Sequence, residues 1–197
     1  MTDMTPNSLP ENTLHIKNMV CNRCIMAVRG LLESLNLQPV SVELGTAVLP
    51  VKVTDEICRR VREALPTLGF ELIDDKKSQV TEQIKDAIIK LVHYSDHTLT
   101  MNLSDYLAST LHRDYSALSK LFSETTGTTI EKYLIAQKIE RAKELLAYDE
   151  LSLNEIADQL NYSSAAYLSA QFKSVTGMTP SRFKNSKANG RKPLDEV

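Results

Sequence analysis

The last third of the chain carries the same frame twice. Leu118, Ser119, Phe122, Thr126, Gly127 and Thr129 return 50 residues later as Leu168, Ser169, Phe172, Thr176, Gly177 and Thr179. An earlier pair of anchors, Ala108 and Leu111, returns as Ala157 and Leu160, at an offset of 49. The difference places one inserted residue between the anchors and the frame, where two short helical patterns meet and a turn belongs. His112 and Asn161 stand in that turn, and both residue types are enriched among non-glycine residues at positive φ. Asp114 and Ser164 stand where an N-cap is wanted. Behind them, Leu118 with Phe122 and Leu168 with Phe172 are four apart and face inward. A duplicated helix, tight turn, helix unit points at double-stranded DNA more than at chemistry.

The periodicity predicts helices over 103–110, 114–125, 129–147, 153–160 and 164–175, with a short turn after Pro180. The helix over 129–147 spans about 28 Å at about 1.5 Å per residue. A rod of that length can set two recognition helices into major grooves that recur every ~34 Å. The outward faces of those helices carry Tyr115, Ser116, Ser119, Lys120 and Ser123 in the first copy. The second copy carries Ala165, Ala166, Ser169, Ala170 and Lys173.

From Asn12 to Asp75 the pattern reads strand, helix, strand, strand, helix, strand. Leu14 and Ile16 alternate with His15 and Lys17, which places His15 on the solvated face. A helical stripe follows (Ile25, Val28, Leu31, Leu32, Leu35). Val40, Val42 and Leu44 then alternate into a turn at Gly45, and Ala47 to Leu49 return before Pro50. Ile57, Val61 and Leu65 mark a second helix, and Phe70, Leu72 and Ile73 a last strand. This order suggests a split βαβ, ferredoxin-like arrangement. The expected fold class is therefore α+β: a ferredoxin-like βαββαβ domain over 12–75, a charged joint over 76–79, and an all-α domain over 80–187. Flexible tails are expected over 1–11 and, basic in character, over 188–197. Ser78 is expected to cap a helix whose apolar face (Val80, Ile84, Ala87, Ile88, Leu91, Val92) packs on the all-α domain or on a second subunit.

The net charge of −2 gives no global basic field for nucleic acid. From residue 159 to 194, however, there are six basic residues and no acidic one: Lys173, Arg182, Lys184, Lys187, Arg191 and Lys192. Phosphate contacts can concentrate there. The first dozen residues lack the basic and apolar regions of a signal peptide, and no long apolar run suggests a membrane span, so a cytosolic place is expected. Scattered histidines, the lack of a glycine-rich phosphate loop and the lack of a Ser/His/Asp grouping argue against an enzyme.

Two stretches, Tyr133 to Leu146 (YLIAQKIERAKELL) and Ala157 to Phe183 (ADQLNYSSAAYLSAQFKSVTGMTPSRF), resemble the AraC/XylS family of bacterial transcription regulators. The turn length and the Gly-x-Thr-Pro ending at Gly177, Thr179 and Pro180 agree with it. The resemblance covers about residues 80 to 186 and implies promoter DNA as the partner. It leaves a second copy of the chain and RNA polymerase open as further partners. Carried over by position, base reading falls on Ser116, Ser119 and Lys120 in the first motif, with Tyr115 beside them, and on Ala165, Ala166 and Ala170 in the second. Members commonly have Arg or Gln where Ala170 stands, and alanine offers only apolar contact, for instance to a thymine methyl. The second motif is therefore expected to hold phosphates and report shape, through Ser163, Ser164, Lys173, Arg182 and the helix N-terminus.

Met19-Val20-Cys21-Asn22-Arg23-Cys24 lies where the first strand gives way to the first helix. The loop resembles that of heavy-metal-associated domains of copper chaperones and metal-pumping ATPases, as does the Gly69-Phe70 pair. Asn18 departs from that family's usual glycine. A helix N-terminus and Arg23 favour thiolates, and two thiolates suit Cu(I) or another soft ion, whereas Zn(II) needs about two further ligands. The other reading is a ligand-free or dimerising module with buried thiols. Cys58 is expected in the core. The functional expectation is a promoter-binding regulator, controlled through soft-metal or thiol-redox sensing at Cys21 and Cys24. The alternative is a metal carrier or scaffold whose helical part docks on a protein.

Overall fold

The computed structural model describes residues 12–94, residues 102–186 and Leu194. The tails expected at 1–11 and 188–197 lie outside the described residues, apart from Leu194, as do Lys187, Arg191 and Lys192. The chain divides into two compact units, Met1–Asp86 and Ala87–Val197.

The first unit runs β1 (Thr13–Lys17), α1 (Asn22–Ser34), β2 (Ser41–Glu43), β3 (Thr46–Val48), α2 (Asp55–Ala64), a 3-10 turn (Leu65–Leu68) and β4 (Glu71–Leu72). The strands form one sheet in the order β2-β3-β1-β4, with every neighbouring pair antiparallel. Leu14 stands opposite Ala47 and Ile16 opposite Leu72, and all four turn into a core with Val28, Leu32, Val61 and Leu65. Fully burying each such large aliphatic side chain contributes about 1.5–3 kcal/mol. Thr54 caps α2 by accepting the Ile57 N–H at 3.4 Å. Gly45, at φ 77°, makes the β2–β3 turn. A Cβ there would stand 1.8 Å from the Asp86 carboxylate, the end of a side chain that can turn aside, so it is the backbone conformation that favours glycine.

Helix α3 (Lys76–Ile89) continues into a π-helical turn at Lys90–Tyr94. Asp75 takes the capping role expected of Ser78: its carboxylate accepts the Ser78 N–H at 2.8 Å and hydroxyl at 2.9 Å. The helix therefore starts at Lys76, inside the expected joint. The chain's division falls within this helix, between Asp86 and Ala87, and Val92 packs on the core of the second unit as expected. In the first unit, Gln79 Nε2 donates to the Ile73 carbonyl at 3.0 Å and Asp86 lies against Gly45.

Those two contacts stand on either side of β1, because Ile73 N–H donates to the His15 carbonyl and Ile16 N–H to the Gly45 carbonyl. The outer sheet face at His15 is thus covered, and His15 is 6 % exposed rather than solvated. Its Nε2 has no hydrogen-bond partner among the described residues, and neither has Thr13 Oγ1 or Gln79 Oε1. Val40, expected to alternate inward, is instead 67 % exposed. In the second unit, α4 (Leu103–Leu111), α5 (Tyr115–Thr126), α6 (Ile130–Tyr148), α7 (Leu153–Gln159), α8 (Ala165–Thr176) and α9 (Pro180–Asn185) follow the expected helices closely.

Burial lowers the His15 pKa below its ordinary value of 6.5. The unfolded chain therefore takes a proton before the folded one does, and His15 costs stability as pH falls below about 6.5. His15→Leu should flatten that slope, with other titrating groups cancelling in the comparison. Urea unfolding of both proteins at pH 7.5 and pH 5 checks it; equal losses in the two would exclude His15 as the source.

Candidate nucleic-acid interface and thiol pair

The first helix-turn-helix starts with Asn102, whose side chain accepts the Asp105 N–H at 2.9 Å. Helix α4 ends at His112, in the left-handed region at φ 52°, and Arg113 N–H reaches back to the Ala108 carbonyl at 3.3 Å. Asp114 then caps α5, accepting the Ser116 N–H at 2.9 Å, the Ala117 N–H at 3.2 Å and the Ser116 hydroxyl. The Ser116 hydroxyl first, then the Ala117 and Ser116 amides, hold the Asp114 carboxyl below its ordinary range.

The second motif repeats this with a full capping box at α7. Ser152 N–H donates to Glu155 at 2.7 Å, and Glu155 N–H donates to the Ser152 hydroxyl at 3.3 Å. Asn161 takes the left-handed position at φ 55°, and Tyr162 N–H reaches the Ala157 carbonyl at 2.8 Å. Ser164 caps α8 by accepting the Tyr167 N–H at 3.1 Å. Gly127 and Gly177 close the two recognition helices at φ 71° and 78°. Thr126 and Thr176 hydroxyls bond back to the Phe122 and Phe172 carbonyls at 2.7 and 2.8 Å.

The inserted residue lies between the left-handed residue and the cap. Arg113 alone fills that space in the first motif and is exposed; Tyr162 and Ser163 fill it in the second. Tyr162 is 8 % exposed. Its hydroxyl donates to Gln171 Oε1 at 2.5 Å and its ring meets Tyr167 edge-on at 5.9 Å. Lys138 Nζ of α6 stands 4.9 Å from the ring centroid, a cation–π distance. Burial, and then the Tyr167 phenol, push the Tyr162 pKa up to about 12, and burial pushes Lys138 down.

Helix α6 has 19 residues, about 28 Å at about 1.5 Å per residue. Thr129 caps it by accepting the Lys132 N–H at 3.2 Å. Its buried side holds apolar residues and three polar ones. Lys143 pairs with Glu140 at 2.5 Å, and Gln137 bonds His93, the Tyr133 hydroxyl and the Leu194 carbonyl at 3.0, 3.0 and 3.2 Å. Phe172 and Phe183 meet edge-on at 5.5 Å, which ties α8 to α9.

Of the residues expected at the interface, Ser116 and Lys120 are exposed on α5, and Ser119 is half-buried. Tyr115 is half-buried, and its hydroxyl donates to Glu131 at 2.5 Å. Burial first, then the Glu131 carboxylate, raise its pKa above the usual phenol range. Ser163, Ser164, Ala166, Ala170 and Lys173 are exposed, as is Arg182, the third residue of α9. Ala165 is half-buried and packs partly on the core of the second unit. Sequence reasoning passed over Tyr167, which is 55 % exposed. The offset of 50 aligns it with Ala117, and its place on the helical wheel, on the same outward side as Ala166 and Ala170, was the signal that could have found it.

In the first unit, Cys21 is the N-cap of α1 and Cys24 lies in its first turn, with the two sulfurs 3.3 Å apart. Asn18, at φ 72°, donates its side-chain amide to the Gly69 carbonyl at 3.2 Å and so fixes the loop. Burial raises the Cys21 thiol, but hydrogen bonds from Cys24 and the Arg23 amide, with the Arg23 charge, outweigh it and leave the pKa lowered. Burial and the bond shared with Cys21 raise Cys24. Met19 is buried in the core, and Cys58 packs half-buried against it. Among the described residues no group of three or more His, Cys, Asp or Glu side chains is arranged to hold a metal ion.

Residues 107–186 match the helix-turn-helix domain family. The chain is similar to a helix-turn-helix-type transcriptional regulator of Staphylococcus aureus, 32% identical over 116 residues, which cover 59% of this chain and 14% of that protein. It is also similar to the Msm operon regulatory protein of Streptococcus mutans, 26% identical over 144 residues, which cover 73% of this chain and 51% of the relative. The chain thus spans about one-seventh and about half of these relatives' lengths. Among solved structures, the C-terminal domain of AraT, a response regulator from Geobacillus stearothermophilus, aligns with a TM-score of 0.49 at 24% identity. That alignment covers 60% of this chain and 95% of that one. Among the described residues no helix is long and apolar enough to cross a membrane.

The turn geometry carries a stability test. His112→Val puts a β-branched side chain at positive φ and should cost about 1–2 kcal/mol, whereas His112→Gly should cost nothing or stabilise. Urea midpoints compare the three proteins. A His112→Val protein as stable as the parent would show that the turn does not hold this conformation in solution.

Proposed function

We propose that the chain is a DNA-binding transcriptional regulator of the AraC/XylS kind, not an enzyme, which sets α5 and α8 into successive major grooves of promoter DNA in the cytoplasm. The observation that carries this reading is the pair of helix-turn-helix motifs with the same left-handed turn, side-chain cap and closing glycine, joined by the 19-residue α6. The match of residues 107–186 to a helix-turn-helix domain and the regulator names of the relatives support it. Ser116, Ser119 and Lys120 read bases from α5. Ser163, Ser164, Lys173 and Arg182 hold phosphates around α8 and α9.

We read the first unit as ferredoxin-like, which the βαββαβ order and the antiparallel β2-β3-β1-β4 sheet support. In this reading the thiol pair is its sensor. Two half-exposed sulfurs 3.3 Å apart fit a soft ion in low coordination, such as Cu(I). They do not fit Zn(II), which takes about four ligands. Cys21 and Cys24 would hold the ion, which would supply a bond between the N-cap and the first turn of α1.

A gel shift with the chain's own promoter region should give a sequence-preferring complex that weakens steeply with salt. Lys120→Ala should level the preference at one or two base pairs by about 1–3 kcal/mol. No preference by the parent chain at moderate salt would sink the regulator reading and favour a metal carrier that docks on protein. For the sensor, Cys21→Ser with Cys24→Ser should abolish Ag(I) or Cu(I) binding in a competition titration, and unchanged binding would remove the pair from the reading.

A further inference from the structure

We propose that Tyr167 is a base-contacting residue of the second recognition helix and that Tyr162 positions it; the inference rests on the regulator reading. Tyr167 is 55 % exposed in the first turn of α8, where its N–H is held by the Ser164 cap. At 100° per residue, Ala166, Tyr167 and Ala170 share the outward face, opposite the buried Leu168 and Phe172. The two alanines carry only methyl groups, so over its first two turns the helix can approach the groove floor with Tyr167 as the one large exposed side chain, and the exposed Lys173 follows a turn later. A phenol suits that place: it has two torsions to fix, a ring to lie against a thymine methyl, and a hydroxyl that can donate to or accept from a base edge.

The ring is also held before any DNA arrives. Tyr162 meets it edge-on at 5.9 Å, and Tyr162 is itself fixed by the Gln171 side chain and the Lys138 ammonium. The counterpart of Tyr162 in the first turn is Arg113, which is exposed, so the first motif has no buried ring at that place. Ala117, the counterpart of Tyr167, has only a methyl group, and its helix presents Ser116, Ser119 and Lys120 instead. The second helix therefore reads through one aromatic residue where the first reads through three polar ones.

The test uses the full chain and duplexes that it selects from a randomised pool, each then changed one base pair at a time. Tyr167→Ala should lose about tenfold in affinity for the selected duplex and level the preference at one or two adjacent base pairs of one half-site. The other half-site should keep its preferences. Tyr167→Phe should retain discrimination for a thymine methyl and lose any that depends on the hydroxyl. If Tyr167→Ala does not fold, as judged by its urea midpoint, Tyr167→Gln replaces it with the same expectation. Tyr162→Leu should weaken the same one or two base preferences, and Tyr162→Phe, which keeps the ring, should restore them. Unchanged preferences in a folded Tyr167→Ala protein overturn the proposal. So does a loss uniform over all base changes, which would make Tyr167 a phosphate contact. A parent chain that selects no sequence sinks the regulator reading itself, a distinguishable result.

Discussion

Each helix-turn-helix depends on a single residue held in the left-handed region. At His112 and Asn161 the chain leaves one helix, and the next amide, of Arg113 or Tyr162, returns to a carbonyl five residues back. That bond ends the helix and satisfies one of its last carbonyls. The next helix does not inherit its register from the first. It starts afresh at the side-chain cap, Asp114 or Ser164, and the inward Leu and Phe are counted from there. For this reason an insertion between the left-handed residue and the cap leaves both recognition helices with the same buried face. The offsets of 49 and 50 are the imprint of two separate counting origins.

The two recognition helices are attached to α6 at different places. Helix α5 is joined near the start of α6, through Tyr115 with Glu131 and through Phe122 against Tyr133 at 5.7 Å. Helix α8 is joined seven residues further on, through Tyr162 beneath Lys138. Seven residues are about two helical turns, or roughly 10 Å along the axis. The two attachments also differ in kind. A partly exposed hydroxyl–carboxylate bond competes with water, whereas a buried ring under a half-buried ammonium does not.

Much of this was legible in the chain, because it is local. The N-caps, the left-handed turns, the closing glycines and the 3.6-residue apolar stripes are all set by neighbours within one or two turns. The βαββαβ order of the first unit was legible for the same reason. What escaped was decided by distant partners. His15 alternates outward as the strand pattern requires, yet α3, some 60 residues later in the chain, covers it. Ser78 and Asp75 both have cap chemistry, and only where the preceding strand ends decides between them. Ala165 is half-buried where Ala166 is exposed, because the core of the second unit lies against one side of it.

A net charge of −2 is compatible with a DNA-binding face because charge acts locally. At physiological salt the Debye length is about 8 Å, so acidic groups further away than that do little to a recognition helix. Many of the chain's acids are also engaged elsewhere: Glu56 and Glu63 with Arg59, Asp74 with Arg62, Glu140 with Lys143, Glu144 with Arg141 and Asp149 with Lys184. Among the described residues, Lys120, Lys173 and Arg182 take part in no ion pair, and all three are exposed. Glu124 on α5 is the acidic exception on the two helices, and α8 has none. The sum over the chain is slightly acidic, while the side chains that a phosphate would meet first on these helices are basic or neutral.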